Sequence, residues 1–207
     1  MRGDGGDRTS GGDNRTVRAG TTDSGDLCGM IGGRSCSLEI GMGKGRFLTE
    51  TARRASDEFF IGVDVKEERV LSAAKKIDQL KLENVRLILG DADMISGVIE
   101  PGVIDVIYLN FSDPWPKKKH AKRRFSSPKY LEMYRRLLRP DGRVVMKTDN
   151  LRLFEYSLEQ MSECGWNVVT IDRDHRSPEH LVTEFEKRFL EKKLPIYFVE
   201  AEVSRDR

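Results

Sequence analysis

From residue 37 onward the chain alternates short apolar runs with amphipathic stretches, switching between the period of a strand and that of a helix. The runs at 37–40, 59–63, 85–89, 104–109, 143–147, 166–172 and 196–203 predict strands. The stretches at 46–55, 66–80, 128–138 and 151–164 predict helices, with a further one at 180–192. Within 66–80, Val70, Ala73, Ala74, Ile77 and Leu80 share one side, the stripe a helix lays against a sheet. Asn84 and Pro140-Asp141-Gly142 supply turns. Strand–helix alternation through residue 165 makes right-handed βαβ units, and therefore a parallel sheet. About twenty polar residues, 175–195, separate the last two strands, which predicts a closing antiparallel hairpin with a decorated loop. The expectation is an α/β domain of seven strands.

Composition changes this picture at one end. Ten of the first 36 residues are glycine and none is aromatic, so residues 1–36 are expected to be a disordered tail before a domain at 37–207. The chain has 36 basic and 34 acidic side chains, a net charge of +2. Six of the basic residues crowd into 117–124; without them the remainder carries −4, so the basicity is local and points to a defined anion-binding face. The three cysteines lack metal-ligand spacing and read as reduced thiols. His120, His175 and His180 make no metal constellation, and no metal is expected. No apolar run is long enough to span a bilayer and no secretory signal is present, which makes the cytoplasm the expected location.

Candidate chemistry gathers at the predicted C-terminal ends of the strands, where open α/β sheets bind ligands. The first strand ends in Glu39-Ile40-Gly41-Met42-Gly43-Lys44-Gly45 directly before a helix. Gly41 and Gly43 let a ligand approach backbone N–H groups. A carboxylate at Glu39 suits a cationic ligand better than a pyrophosphate, which it would repel. Asp64, at the end of the second strand, is placed to accept ribose hydroxyls, and Asp91, after the third, an adenine amino group. Each acid also reads as a helix cap or turn former. Tyr108-Leu109-Asn110-Phe111-Ser112-Asp113-Pro114-Trp115-Pro116 then runs into the cationic cluster Lys117 to Arg124. A carboxylate and an indole beside concentrated positive charge suggest a polyanionic substrate next to a small-molecule site. The plainer alternative is a solvated basic loop beside an Asp-Pro turn.

Together with Lys147-Thr148-Asp149-Asn150 and Thr183-Glu184-Phe185-Glu186, these segments resemble the tRNA (guanine-N7)-methyltransferase family, from about residue 37 to residue 203. The resemblance implies a Rossmann-like class I methyltransferase fold, S-adenosylmethionine as cofactor and tRNA as partner, methylated in its variable loop. It implies cofactor contacts from Glu39, Asp64, Asp91 and Asp113. It implies guanosine contacts from Lys117, Asp149 and Thr183, Glu184, Phe185 and Glu186, and RNA-backbone contacts from Lys119, Lys122, Arg123 and Arg124. Many relatives carry Glu at the position of Asp64, and the residues before Cys36 lack the family's aromatic lead-in.

Guanine N7 has a free lone pair at neutral pH, so the reaction needs alignment more than a general base. Positive charge passes from sulfur to the guanine ring, and Asp113 is the carboxylate expected to stabilise it. Asp149 and Glu186 are expected to accept from guanine N1–H and N2–H₂. Thr183 to Glu186 also reads as a capping box, and Asp149 as an Asx turn with Asn150. Two rivals remain: a non-catalytic RNA-binding or partner-activating protein on the same fold, and a nicotinamide-dependent oxidoreductase. Monomer and homodimer are both open.

Overall fold

The computed structural model describes residues 16–18, 24–176, 186, 189, 191–192 and 194–203. Among them, eight strands form one sheet: β1 (Thr16–Arg18), β2 (Cys36–Ile40), β3 (Phe59–Asp64), β4 (Val85–Leu89), β5 (Ile104–Asn110), β6 (Leu138–Thr148), β7 (Trp166–Asp172) and β8 (Tyr197–Val203). The spatial order is β1-β4-β3-β2-β5-β6-β8-β7. All ladders from β1 to β6 are parallel, whereas β8 lies antiparallel between β6 and β7. The seven expected strands are therefore present, with the closing hairpin, and β1 adds an edge.

Among the described residues, α-helices α1 (Ser24–Ile31), α2 (Arg46–Arg54), α3 (Glu67–Leu80), α4 (Pro128–Leu137) and α5 (Leu151–Glu163) cover the two faces. Leu48 and Ala52 of α2 pack with Val70, Ala73, Ala74 and Ile77 of α3 on one face. Leu27 and Ile31 of α1, Leu131 and Tyr134 of α4, and Phe154 and Met161 of α5 pack on the other. Each fully buried large side chain contributes roughly 1.5–3 kcal/mol, so a core on both faces fixes the strand edges against one another.

The structure departs from the sequence pattern in three places. The stretch expected to be a tail contains α1, with Leu27 and Ile31 buried at 5% and 3% exposure. Leu27, Met30 and Ile31 have helical spacing, and the glycines around them masked a short amphipathic stripe. Leu80 lies exposed instead of completing the α3 stripe. Lys81 turns the chain at φ +54°, and Leu82 takes the place in the core. Finally, the Pro140-Asp141-Gly142 turn sits inside β6: pairing jumps from Ile104↔Leu138 to Val106↔Arg143, so residues 139–142 loop out. Of the helix expected at 180–192, Glu186, Phe189 and Glu191 are helical and most of the remainder lies outside the described residues.

Gly62 was not singled out by the sequence. A Cβ there would lie 2.4 Å from Met42 Sδ and 2.5 Å from a Leu48 methyl, so only glycine lets α2 settle on β3. The close seating brings the turn after β2 against the end of β3, where the candidate site begins.

Candidate active site

Because β2, β3, β4 and β5 are parallel neighbours, their C-terminal ends open onto one edge of the sheet, and the order in which strands are added switches sides between β2 and β5. A cavity of about 680 Å³ lies there, within the usual range for small-molecule sites. Of the expected residues it gathers Gly41, Asp64, Asp91, Asp113, Lys122 and Arg123. Trp115, Phe111, Arg69 and Tyr130 share the lining.

Asp64 is 4% exposed and organises the glycine turn. Its Oδ2 accepts the Gly43 N–H at 3.0 Å, its Oδ1 accepts the Lys66 N–H at 2.9 Å, and Arg69 lies at 3.5 Å. The Gly43 N–H expected to meet a ligand is thus taken by Asp64. Beyond these two N–H groups and Arg69 the carboxylate keeps acceptor capacity, the chemistry ribose hydroxyls require. Asp91 Oδ1 accepts the Asp93 N–H at 3.0 Å and caps the short helical turn Ala92–Gly97, so capping and an open acceptor edge coexist. Lys129 binds Asp93 and holds its carboxyl below the usual range.

Glu39 does not line the cavity. It lies beneath the glycine turn at 3% exposure, where Oε1 accepts from Asn110 Nδ2 at 3.0 Å. Its Oε2 and Asn110 Oδ1 are buried without a hydrogen-bond partner. Burial pushes the Glu39 carboxyl up to about 7, against the opposing pulls of Asn110 and of Lys147. The carboxylates of Asp64, Asp91 and Asp113 on the cavity lining fit a cationic ligand.

A folded-state pKa above the ordinary 4.5 means that Glu39 favours folding fully below pH 4.5 and loses that contribution as pH rises through about 7. The ligand-free protein should therefore lose up to about 3 kcal/mol from this group between pH 5 and pH 8. Glu39→Gln should flatten that slope in urea unfolding followed across the pH range. An unchanged slope would show that Glu39 is not the group responsible.

Lys147 is the residue whose role the sequence left blank. It occupies the end of β6 at 4% exposure, ion-paired to Glu186 at 3.3 Å and over the Phe47 ring at 5.6 Å. Burial draws its pKa down, while Glu186 and then Glu39 push it back up. Glu186 is 0% exposed, so the acid expected at the guanine is anchored inside the protein. Phe189, in the same segment, stacks on Phe111 at 5.8 Å. A lysine directly after the apolar run Val144-Val145-Met146 was the available signal for a buried partner.

Arg124, expected to meet RNA, turns inward. It donates to the carbonyls of Pro114 and Trp115 at 3.0–3.3 Å and lies 4.2 Å from the Tyr156 ring centroid. Lys117, Lys119 and Asp149 are exposed and outside the cavity lining, and Thr183, Glu184 and Phe185 lie outside the described residues. Asn150, not Asp149, caps α5 by accepting from Leu153 N–H at 2.9 Å.

Residues 33–199 match a family model for methyltransferases, Methyltransf_4. Among solved structures, the 16S rRNA methyltransferase KamB is similar with a TM-score of 0.69 at 15% identity, over 88% of this chain and 94% of that one. A SAM-dependent methyltransferase from Aquifex aeolicus has a TM-score of 0.60 at 16% identity, over 88% and 90%. A tRNA (guanine-N(7)-)-methyltransferase of Listeria innocua is 41% identical over 172 residues, 82% of this chain and 80% of the relative. The fold is that of an S-adenosylmethionine-dependent methyltransferase with a Rossmann-like sheet. Within that class, the chain belongs to the tRNA (guanine-N(7)-)-methyltransferase family. Among the described residues no helix is long and apolar enough to cross a membrane.

Proposed function

We propose that this protein transfers a methyl group from S-adenosylmethionine to N7 of a guanosine in the variable loop of tRNA, leaving 7-methylguanosine. The observation that carries this reading is a shared rim. Asp64, Asp91 and Asp113, from three strand ends, line the same cavity as Lys122 and Arg123 of the cationic loop. S-adenosylmethionine supplies an activated methyl group on a sulfonium centre. Asp64 offers its remaining acceptor sites to the ribose hydroxyls and Asp91 its open edge to the adenine amino group. Asp113 stabilises the positive charge that grows on the guanine ring. Asp149 is exposed and accepts from the guanine N1–H and N2–H₂ edge, while Glu186 serves by holding its segment on Lys147. The reading, together with three cysteines of no framework spacing, supports a cytoplasmic location.

Lys119 and Lys122 are side chains for phosphate, with Arg124 left out because its guanidinium secures the turn. Replacing Lys119 and Lys122 with alanine should weaken tRNA binding and flatten its salt dependence by roughly 1–2 units of log–log slope. A slope equal to that of the native protein removes the loop from the RNA interface. The reaction itself is tested by incubating the protein with labelled cofactor and bulk tRNA and mapping 7-methylguanosine. Absence of label in tRNA rejects the proposed activity and favours an RNA-binding role without catalysis.

A further inference from the structure

The turn that carries Asp113 is held in an uncommon backbone conformation. Phe111 has φ +50° and Trp115 φ +42°, values that side-chain-bearing residues rarely adopt. Such a conformation is strained and persists where surrounding contacts impose it. Those contacts are present. The Phe111 N–H donates to the Lys147 carbonyl at 2.8 Å, and Arg124 grips the carbonyls of Pro114 and Trp115. The turn so held places Trp115 in the cavity lining, two residues from Asp113.

The indole is nevertheless covered. The Arg123 guanidinium carbon lies 4.9 Å over the ring centroid, and His120 meets the ring edge-on at 5.7 Å and 89°. Arg123 is itself exposed and lines the cavity. A cation on an accessible aromatic face is held weakly, whereas a stacked nucleobase is held more strongly. An arriving base displaces the cover, and the released guanidinium is free to meet a phosphate.

We propose that the face of Trp115 is the platform on which the target guanine stacks, and that Arg123 is its reversible cover, exchanged from the ring to the RNA backbone when the base enters. The substrate class rests on the methyltransferase reading above; the cover rests on the geometry of this loop. The platform also contributes to the reaction. The guanine ring gains positive charge as its N7 takes the methyl group, and a tryptophan face attracts a cationic ring more strongly than a neutral one. Trp115 therefore holds the transition state more tightly than the substrate.

The probes are 7-methylguanosine nucleoside, which has no phosphate, and tRNA, both followed by tryptophan fluorescence. Trp166 is 5% exposed, which leaves Trp115 as the responsive indole. Arg123→Ala should bind 7-methylguanosine about two- to fivefold more tightly, because the ring is uncovered, and tRNA more weakly. Trp115→Phe should abolish the quench by nucleoside and lower kcat more than it raises KM. Weaker binding of both probes by Arg123→Ala, or a quench that survives Trp115→Phe, overturns the proposal. A native protein that fails to methylate tRNA while showing the opposed Arg123→Ala effects rejects the proposed reaction and leaves the cover standing.

Discussion

Asp113→Ala should lower the rate of methyl transfer by about 10²–10³-fold, the usual consequence of deleting one group aimed at developing charge. Asp113 is exposed at the cavity and follows β5 on the strained turn, so its loss should change stability by no more than about 0.5 kcal/mol. Asp113→Asn should be nearly as slow, because the missing quantity is negative charge rather than a hydrogen-bond acceptor. Single-turnover transfer from labelled cofactor to tRNA, with thermal unfolding as the control, measures both effects. A variant turning over within threefold of the native rate would return the charge-stabilising role to another acid on the rim, with Asp91 an alternative in the same cavity.

The second large effect concerns the fold beneath the site. Lys147→Met leaves Glu186, at 0% exposure, and Glu39, at 3%, without their shared cation. Breaking a buried ion pair from one side costs about 3–5 kcal/mol, which corresponds to a fall in Tm of roughly 6–20 °C for a domain of this size. Adding Glu186→Leu should recover most of the loss, because an apolar pair of similar volume avoids the uncompensated charge. Recovery of stability without recovery of activity would separate the structural work of Lys147 from its part in seating the segment of Glu186 and Phe189. If Lys147→Met were as stable as the native protein in urea unfolding, the pair would not be holding the β6 end.

Much of the candidate site was legible because a parallel sheet places all its strand C-termini on one edge. Once the alternation around Asp64, Asp91 and Asp113 reads as strand followed by turn, the acids must converge whatever the loops do. The glycine turn was legible for the same reason, although its use was not. Gly43 donates to Asp64 and so binds β2's turn to β3, a pairing across the sheet that no local spacing announces. Glu39 was read as a rim residue, yet the strand points its carboxylate under the turn toward Asn110.

The cationic cluster shows the boundary most clearly. Its charge is a property of composition, and composition was enough to place an anion-binding face beside the cofactor edge. Which of its members meet an anion depends on where each side chain finds a partner. Arg124 found two carbonyls and a tyrosine ring, Arg123 an indole, while Lys119 stayed exposed.

The chain by itself determined the strand–helix alternation, the convergence of acids at one sheet edge and the locality of positive charge, because these follow from periodicity and residue type over short stretches. Tertiary structure alone decided the insertion of β8 beside β6, the docking of α1 from a glycine-rich segment, the burial of Lys147 against Glu186 and the inward turn of Arg124. Each of those is a contact between residues distant in sequence, and its energy comes from removing particular groups from water in a particular geometry.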